Sequence, residues 1–185
     1  MLFLNNNSIL EMGLFGLLFM KWLFIGNMAP KNWEEILFLA QSNRLGQFHR
    51  LESVTNKYNM HMSRYKDIYH TPEDMILHRI LNYPSYWKYD DCSRSLKRTV
   101  DVQSITTNHT AFVPNEFPYN IDPNIKHYLL WSFRPLTPRE IREKIEDHIA
   151  SDQYEYVYFI NPNNLKSIKN IPHVHVMIRK IPNIL

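Results

Sequence analysis

The most constraining feature of the chain is the alternating stretch HVHVMIRK at residues 173–180. Successive side chains of a β-strand point to opposite faces, so Val174, Val176 and Ile178 form one uninterrupted aliphatic row. The other face carries His173, His175, Met177 and Arg179. The pattern predicts a strand whose aliphatic row faces a hydrophobic core and whose opposite face gathers two imidazoles and a guanidinium.

Helix and strand patterns divide the chain into two halves. The first half is typical of helices at residues 32–48, 54–69 and 71–81, with Asn32 and Thr71 as N-caps. In the second half, strand patterns at 127–133, 154–160 and 173–180 surround a helix signature that starts at Thr137. The sequence therefore predicts an α+β fold, in which a helical N-terminal half packs on a small β-sheet built mainly from the C-terminal half. The intervening helix favours a parallel orientation of strands 127–133 and 154–160.

Residues 1–27 differ in composition from the rest of the chain. The run from Met12 to Gly26 is apolar, but Lys21 interrupts it, and a charge at that place disfavours a membrane span. We interpret residues 1–27 as an apolar leader, with a non-native extension, a weak membrane anchor and a packed helix as open alternatives. Residues 28–185 are expected to form a single globular domain. Membrane attachment is expected only if the leader is retained in the protein.

Composition restricts the classes of partner and compartment. The net charge is only +3 and the charges are mixed along the chain, whereas nucleic-acid binding proteins usually show a concentrated basic stripe. We therefore expect no nucleic-acid partner. The single cysteine, Cys92, excludes an internal disulfide and a cysteine-based zinc site. A lone cysteine suits a reducing compartment, so a cytoplasmic location is expected.

His173 and His175 are the predicted catalytic residues. On one strand face their backbones lie about 6.5–7 Å apart, which lets both imidazoles act on one phosphate or one metal ion. If the strand that carries His127 lies beside them, the three imidazoles could form a zinc site with an open position. A metal site, a site without metal and a structural histidine pair all stay open. No cofactor is expected otherwise.

Other side chains are candidates for ligand binding. Arg179 shares the face of the histidine pair and suits an anionic group, although a salt bridge at the strand end is an equal alternative. The remaining candidates come from the turn at 114–123, the strand at 127–133 and the segment leading into strand 173–180: Asn115, Tyr119, Trp131, Asn161 and Ser167. Tyr119 and Trp131 are expected to form walls of a pocket.

Several segments resemble successive blocks of one fungal family: NEFPY, IKHYLLWS, FINPNNLKSI and HVHVMIR, together with WEEI and NRLGQFHR in the first half. The family is named after the N-acetylglucosamine-induced protein and contains uncharacterised domains. The resemblance covers roughly residues 32–180 and implies a small soluble protein without an established mechanism. A weaker similarity is to histidine-triad nucleotide-binding proteins, but Met177 occupies the place of their third alternating histidine.

Two functions remain as hypotheses. In the first, His173, His175 and Arg179 serve a small phosphate-bearing molecule such as a nucleotide sugar. In the second, the chain is a non-enzymatic interaction module, with a structural histidine pair and exposed aromatic residues that bind a protein partner.

Overall fold

The computed structural model describes residues 29–150 and 152–181. The leader assigned to residues 1–27 lies outside these ranges, and the division of the chain at Met28 stays a prediction. None of the helices in the described ranges is long and apolar enough to cross a membrane.

The helices are α1 (Trp33–Gln41), α2 (Glu52–Lys66), α3 (Pro72–Met75) and α4 (Pro138–Glu146). The strands are β1 (Tyr86–Asp90), β2 (Ser95–Thr99), β3 (Thr110–Pro114), β4 (Lys126–Ser132), β5 (Tyr154–Phe159) and β6 (His173–Lys180). Short 3-10 turns lie at Leu45–Gln47, Val102–Ser104 and Asn163–Leu165. The predicted α+β fold is confirmed.

Capping boxes start three of the helices, at the cap residues that the sequence predicts. The side chains of Asn32, Thr71 and Thr137 each accept a hydrogen bond from the backbone N–H three residues later, and the acidic side chain there bonds back to the cap. This reciprocal arrangement satisfies two backbone donors that a helix start would otherwise leave unpaired.

The third helix changes its geometry after one turn. α3 continues as a π-helical turn over Ile76–Ile80, in which the backbone N–H of Leu81 donates to Ile76 O at 3.0 Å. The predicted helix at 71–81 is present, but the wider turn shifts the phase of its last residues by one position. Arg79 and Ile80 of this turn line a cavity.

The main sheet has the strand order β3-β4-β6-β5, and all neighbouring strands are antiparallel. Because β4 and β5 are both antiparallel to β6, they run parallel to each other, as predicted, but β6 separates them. Val174, Val176 and Ile178 pack against Ile141 and Ile145 of α4, which confirms the predicted core face. The opposite face of β6 is also buried from His173 to Met177, because the N-terminal half covers it.

Two features were not predicted from the sequence. β3 adds an edge strand to the main sheet. β1 and β2 form a separate two-stranded hairpin, whose Trp87, Tyr89 and Leu96 are each more than half exposed.

Candidate functional site

A cavity of about 560 Å³ lies between α2, the π-helical turn, the 114–119 loop and the ends of β4 and β6. α2 has no fully buried residue, and its half-buried face turns toward the cavity through Thr55, Tyr58, His61, Met62 and Tyr65. The spacing of these residues is that of one face of a helix. α2 therefore covers a cavity, while its Met62 and Tyr65 also pack against the adjoining hydrophobic core.

Seven residues predicted for the site line this one cavity: Asn115, Tyr119, Trp131, Asn161, Ser167, His173 and His175. They come from four separate segments of the chain. The antiparallel pairing of β4 with β6 puts Trp131 opposite His173, and the two rings lie 4.4 Å apart. The structure thus brings together most of the residues that the sequence analysis singled out.

Arg179 does not join them. It lies four positions beyond His175, about 13 Å further along the strand, and Met177 fills the space between them within the core. Its Nε donates to Glu155 Oε1 at 2.7 Å, its Nη1 lies 3.5 Å from Glu34 Oε1, and its guanidinium stacks on Trp33. The geometry matches the alternative interpretation of Arg179 as a salt bridge at the strand end.

His127 lies behind the cavity wall and contacts His175. Nε2 of His127 is 2.9 Å from Nδ1 of His175. The backbone N–H of Tyr119 donates to Nδ1 of His127 at 3.3 Å, so that nitrogen carries the lone pair. In neutral rings, Nε2–H of His127 must then donate to Nδ1 of His175, and His175 carries its own proton on Nε2.

Asn161 continues this chain of hydrogen bonds. One atom of its side-chain amide, placed as Nδ2, lies 3.0 Å from His175 Nε2 and 2.8 Å from the Tyr119 hydroxyl. Amide N and O positions are assigned from the hydrogen-bond network, and the donor at His175 requires an acceptor here. Exchanging the two atoms lets Oδ1 accept from both His175 and Tyr119. The other amide atom is buried without a partner among the described residues.

The three histidines are neutral at physiological pH. Burial, reinforced by the charge of Arg50, lowers the pKa of His127 to about 3. Burial is also the main cause that holds the pKa of His175 well below its ordinary value and lowers the pKa of His173. Because neutral imidazoles carry no charge, the histidine pair does not attract a phosphate electrostatically.

A three-histidine metal site is not assembled. Nε2 of His127 and Nδ1 of His175 point at each other, and Nδ1 of His173 lies 3.0 Å from Ile171 O, so these three nitrogens are engaged within the protein. No group of three His, Cys, Asp or Glu side chains within 29–150 and 152–181 has an arrangement that could hold a metal ion.

The cavity also contains cationic residues that the sequence analysis missed. Nε of Arg50 donates to Phe117 O at 2.8 Å, and its guanidinium stacks on Tyr58 and Tyr119 at 5.1 and 5.6 Å. Nη1 of Arg79 donates to the Tyr65 hydroxyl at 2.6 Å. The helical spacing of Tyr58, His61 and Tyr65 in the sequence indicates one face of α2. It does not indicate which residues that face contacts, because those residues lie far away in the sequence.

The chain matches a known protein family. A family model described as "Protein of unknown function (DUF3605)" matches residues 32–179. The chain belongs to the DUF3605 family. The match includes every residue that lines the cavity, so the whole site falls within the DUF3605 domain.

Two curated relatives of this DUF3605 protein come from yeasts. N-acetylglucosamine-induced protein 1 of Candida albicans is 25% identical over 85% of this chain and 71% of its own length. An uncharacterized protein of Saccharomyces cerevisiae is 22% identical over 79% of this chain and 77% of its own length. A solved structure, the crystal structure of HTC1, is 21% identical with a TM-score of 0.52, covering 82% of this chain and 86% of that one. This likeness shows the same fold.

Proposed function

We propose that the cavity binds a small phosphate-bearing molecule such as a nucleotide sugar. The observation that carries the proposal is that an aromatic cavity contains two arginines, Arg50 and Arg79, without a carboxylate partner in the described part of the chain. The volume of about 560 Å³ lies within the range of small-molecule sites.

The phosphate is assigned to the arginines. The terminal nitrogens of Arg50 have no hydrogen-bond partner within 29–150 and 152–181, and a guanidinium fork matches two phosphate oxygens. Arg79 stacks on Tyr65, which lies seven residues after Tyr58 on α2. Seven residues correspond to about 10.5 Å of helix, and Arg50 and Arg79 stack on the two tyrosines. This separation suits two anionic groups of one extended ligand, or a single anionic group that binds at either arginine.

Aromatic side chains account for the rest of the ligand in this proposal. Tyr119 stacks parallel to His175 at 5.3 Å and belongs to a row of rings with Phe48. Trp131 and Phe117 add further apolar surface. A flat ring, such as a nucleobase, suits such walls. The Candida relative carries N-acetylglucosamine in its name, which makes nucleotide-activated amino sugars reasonable first ligands to test.

The first test replaces Arg50 by Gln in the full chain and measures the affinity for UDP-N-acetylglucosamine by calorimetry. We expect a loss of about 10-fold or more, because a charge-assisted hydrogen bond to phosphate contributes about 1.5–3 kcal/mol. Arg44→Gln is the matched control, because Arg44 also stacks on an aromatic ring, Phe38, but lies outside the cavity. Equal affinities of the Arg50→Gln variant and the wild type would contradict the phosphate assignment.

A non-enzymatic interaction module is the second candidate, and the hairpin favours it. Trp87, Tyr89 and Leu96 lie on one face of the β1–β2 pair and are 53–58% exposed, with Arg98 stacked on Trp87. Exposed contiguous aromatic residues are typical of protein-binding surfaces. In this candidate the histidine pair is structural, and the cavity of the wild-type protein binds no nucleotide sugar.

The proposal includes a cytoplasmic location and no nucleic-acid partner. The single exposed cysteine suits a reducing compartment, and the modest net charge of +3 does not favour a polyanion. The catalytic roles assigned to His173 and His175 stay predictions. Of the two, His173 is the better candidate, because both ring nitrogens of His175 are engaged by His127 and Asn161.

A further inference from the structure

The hydrogen-bonding state of His173 follows from one contact. Its Nδ1 lies 3.0 Å from the carbonyl oxygen of Ile171, which can only accept, so Nδ1 carries the proton. The neutral ring therefore presents a lone pair at Nε2. This nitrogen has no hydrogen-bond partner in the described part of the chain and is not among the side-chain atoms that the protein encloses completely. Since His173 lines the cavity, Nε2 is an acceptor open to a ligand.

The ring of His173 is held in place. It packs 4.4 Å from the Trp131 ring and 5.5 Å from the His175 ring, and the side chain is only 6% exposed. An acceptor fixed in this way has directional selectivity, because the ring cannot turn to offer its Nδ1–H instead.

Two other polar atoms in the cavity wall, unpaired among the described residues, are enclosed by the protein. His49 also lies with Nδ1 near a backbone carbonyl, Gln47 O, at 3.3 Å, and its enclosed Nε2 has no partner. The unpaired amide atom of Asn161 is enclosed in the same way, so neither atom is offered to a ligand. For the open Nε2 of His173, a deprotonated phosphate oxygen is an unsuitable partner, because it only accepts and is repelled by a lone pair, whereas a hydroxyl group donates to imidazole.

We propose that the ligand carries, besides its phosphate, a hydroxyl group that donates a hydrogen bond to Nε2 of His173. This assignment rests on the proposed function, since it uses the same cavity. It orients the ligand with its anionic part at Arg50 and a hydroxyl-bearing part, as in a sugar, at the end of β6. The ligand class is thereby narrowed from phosphate compounds in general to phosphate compounds with a free hydroxyl.

The test uses two replacements of His173 in the full chain, with UDP-N-acetylglucosamine as the probe. His173→Asn places an amide N–H near the position of Nδ1 and so keeps a donor for Ile171 O, but it removes the acceptor. His173→Gln reaches further and places an amide oxygen near the position of Nε2. We expect the Asn variant to bind about 5- to 10-fold more weakly, and the Gln variant to stay within about threefold of the wild type.

Three other outcomes would overturn the hydroxyl assignment, and they differ in what they imply for the proposed function. Wild-type affinity in both variants, with weakened binding in Arg50→Gln, would overturn the hydroxyl assignment and leave the proposed function standing. Equal weakening in both variants would show that the ring itself is required, and would also overturn the assignment. No binding of the probe to the wild-type protein would overturn the proposed function together with this inference.

A measurement without ligand tests the premise. Long-range ¹H–¹⁵N spectra of histidine-labelled protein distinguish the two neutral tautomers, and the His173→Asn variant identifies the signals of His173. We expect the Nδ1–H tautomer at pH 7.5. A protonated ring or the Nε2–H tautomer would overturn the assignment independently of any ligand.

Discussion

Lowering the pH from 6.5 to 5 is expected to reduce the free energy of unfolding by about 2–4 kcal/mol through two buried histidines. Burial lowers the pKa of His127 to about 3 and holds the pKa of His175 well below 6.5, the ordinary value to which both return in the unfolded chain. Below pH 6.5 the unfolded chain binds protons that the folded protein does not. The stabilisation is therefore complete above that pH and is lost progressively as the pH falls toward the folded-state pKa values.

Urea unfolding of the full chain at pH 7, 6 and 5 measures this dependence. The His127→Gln variant should be less stable at pH 7 but should show a smaller loss on acidification, since one of the two buried rings is absent. His148→Gln is the control for replacing a histidine outside the buried pair, because His148 is exposed on the surface. A slope in His127→Gln as steep as in the wild type would show that other groups cause the acid sensitivity.

The Asp74→Asn variant is expected to lose about 2–4 kcal/mol of stability. Asp74 is 6% exposed, and its Oδ2 accepts from the backbone N–H and the hydroxyl of Thr71 at 3.0 and 2.6 Å. Its Oδ1 accepts from the Thr99 hydroxyl at 3.0 Å and from the backbone N–H of Val100 at 2.7 Å. An amide NH₂ in place of either oxygen would face donors and leave buried N–H groups unpaired.

Chemical denaturation of Asp74→Asn at pH 7 checks this value against Glu140→Gln. Glu140 occupies the same position in the capping box of α4, but its side chain has no hydrogen bond beyond Thr137 in the described residues. A much larger loss of stability in Asp74→Asn would show that the hydrogen bonds of Asp74 to Thr99 and Val100 stabilise the fold more than the helix cap does. Equal losses in the two variants would assign the effect to the cap alone.

The helix starts and strand β6 were predictable because their signals are local. A capping box is contained in four residues, and the alternation of β6 reports its own core face. The hairpin lacks such a signal. Its Trp87, Tyr89 and Leu96 are exposed, so the positions of its hydrophobic residues do not mark a buried face.

The candidate site was predictable in part. The histidine pair of β6 and five polar or aromatic residues of β4 and the loops were singled out, and all seven line one cavity. Arg50 could not be assigned in this way, because its contact with Phe117 spans 67 positions of the chain. Arg179 was included because it shares a face with His175, but strand geometry alone did not show that Met177 separates it from the site or that Glu155 binds it.

The sequence by itself determined the α+β class, the starts of the helices, the strand at residues 173–180 with its core face, and the family. The fold class, the helix starts and the strand depend on hydrogen bonds and side-chain periodicity within short segments, so neighbouring residues specify them. The family follows from similar blocks of sequence. Only the tertiary structure decided that the histidines are neutral, that His127 contacts His175 and that the cations of the cavity are Arg50 and Arg79. Burial and contacts between distant segments set those properties, and both exist only when the chain is folded.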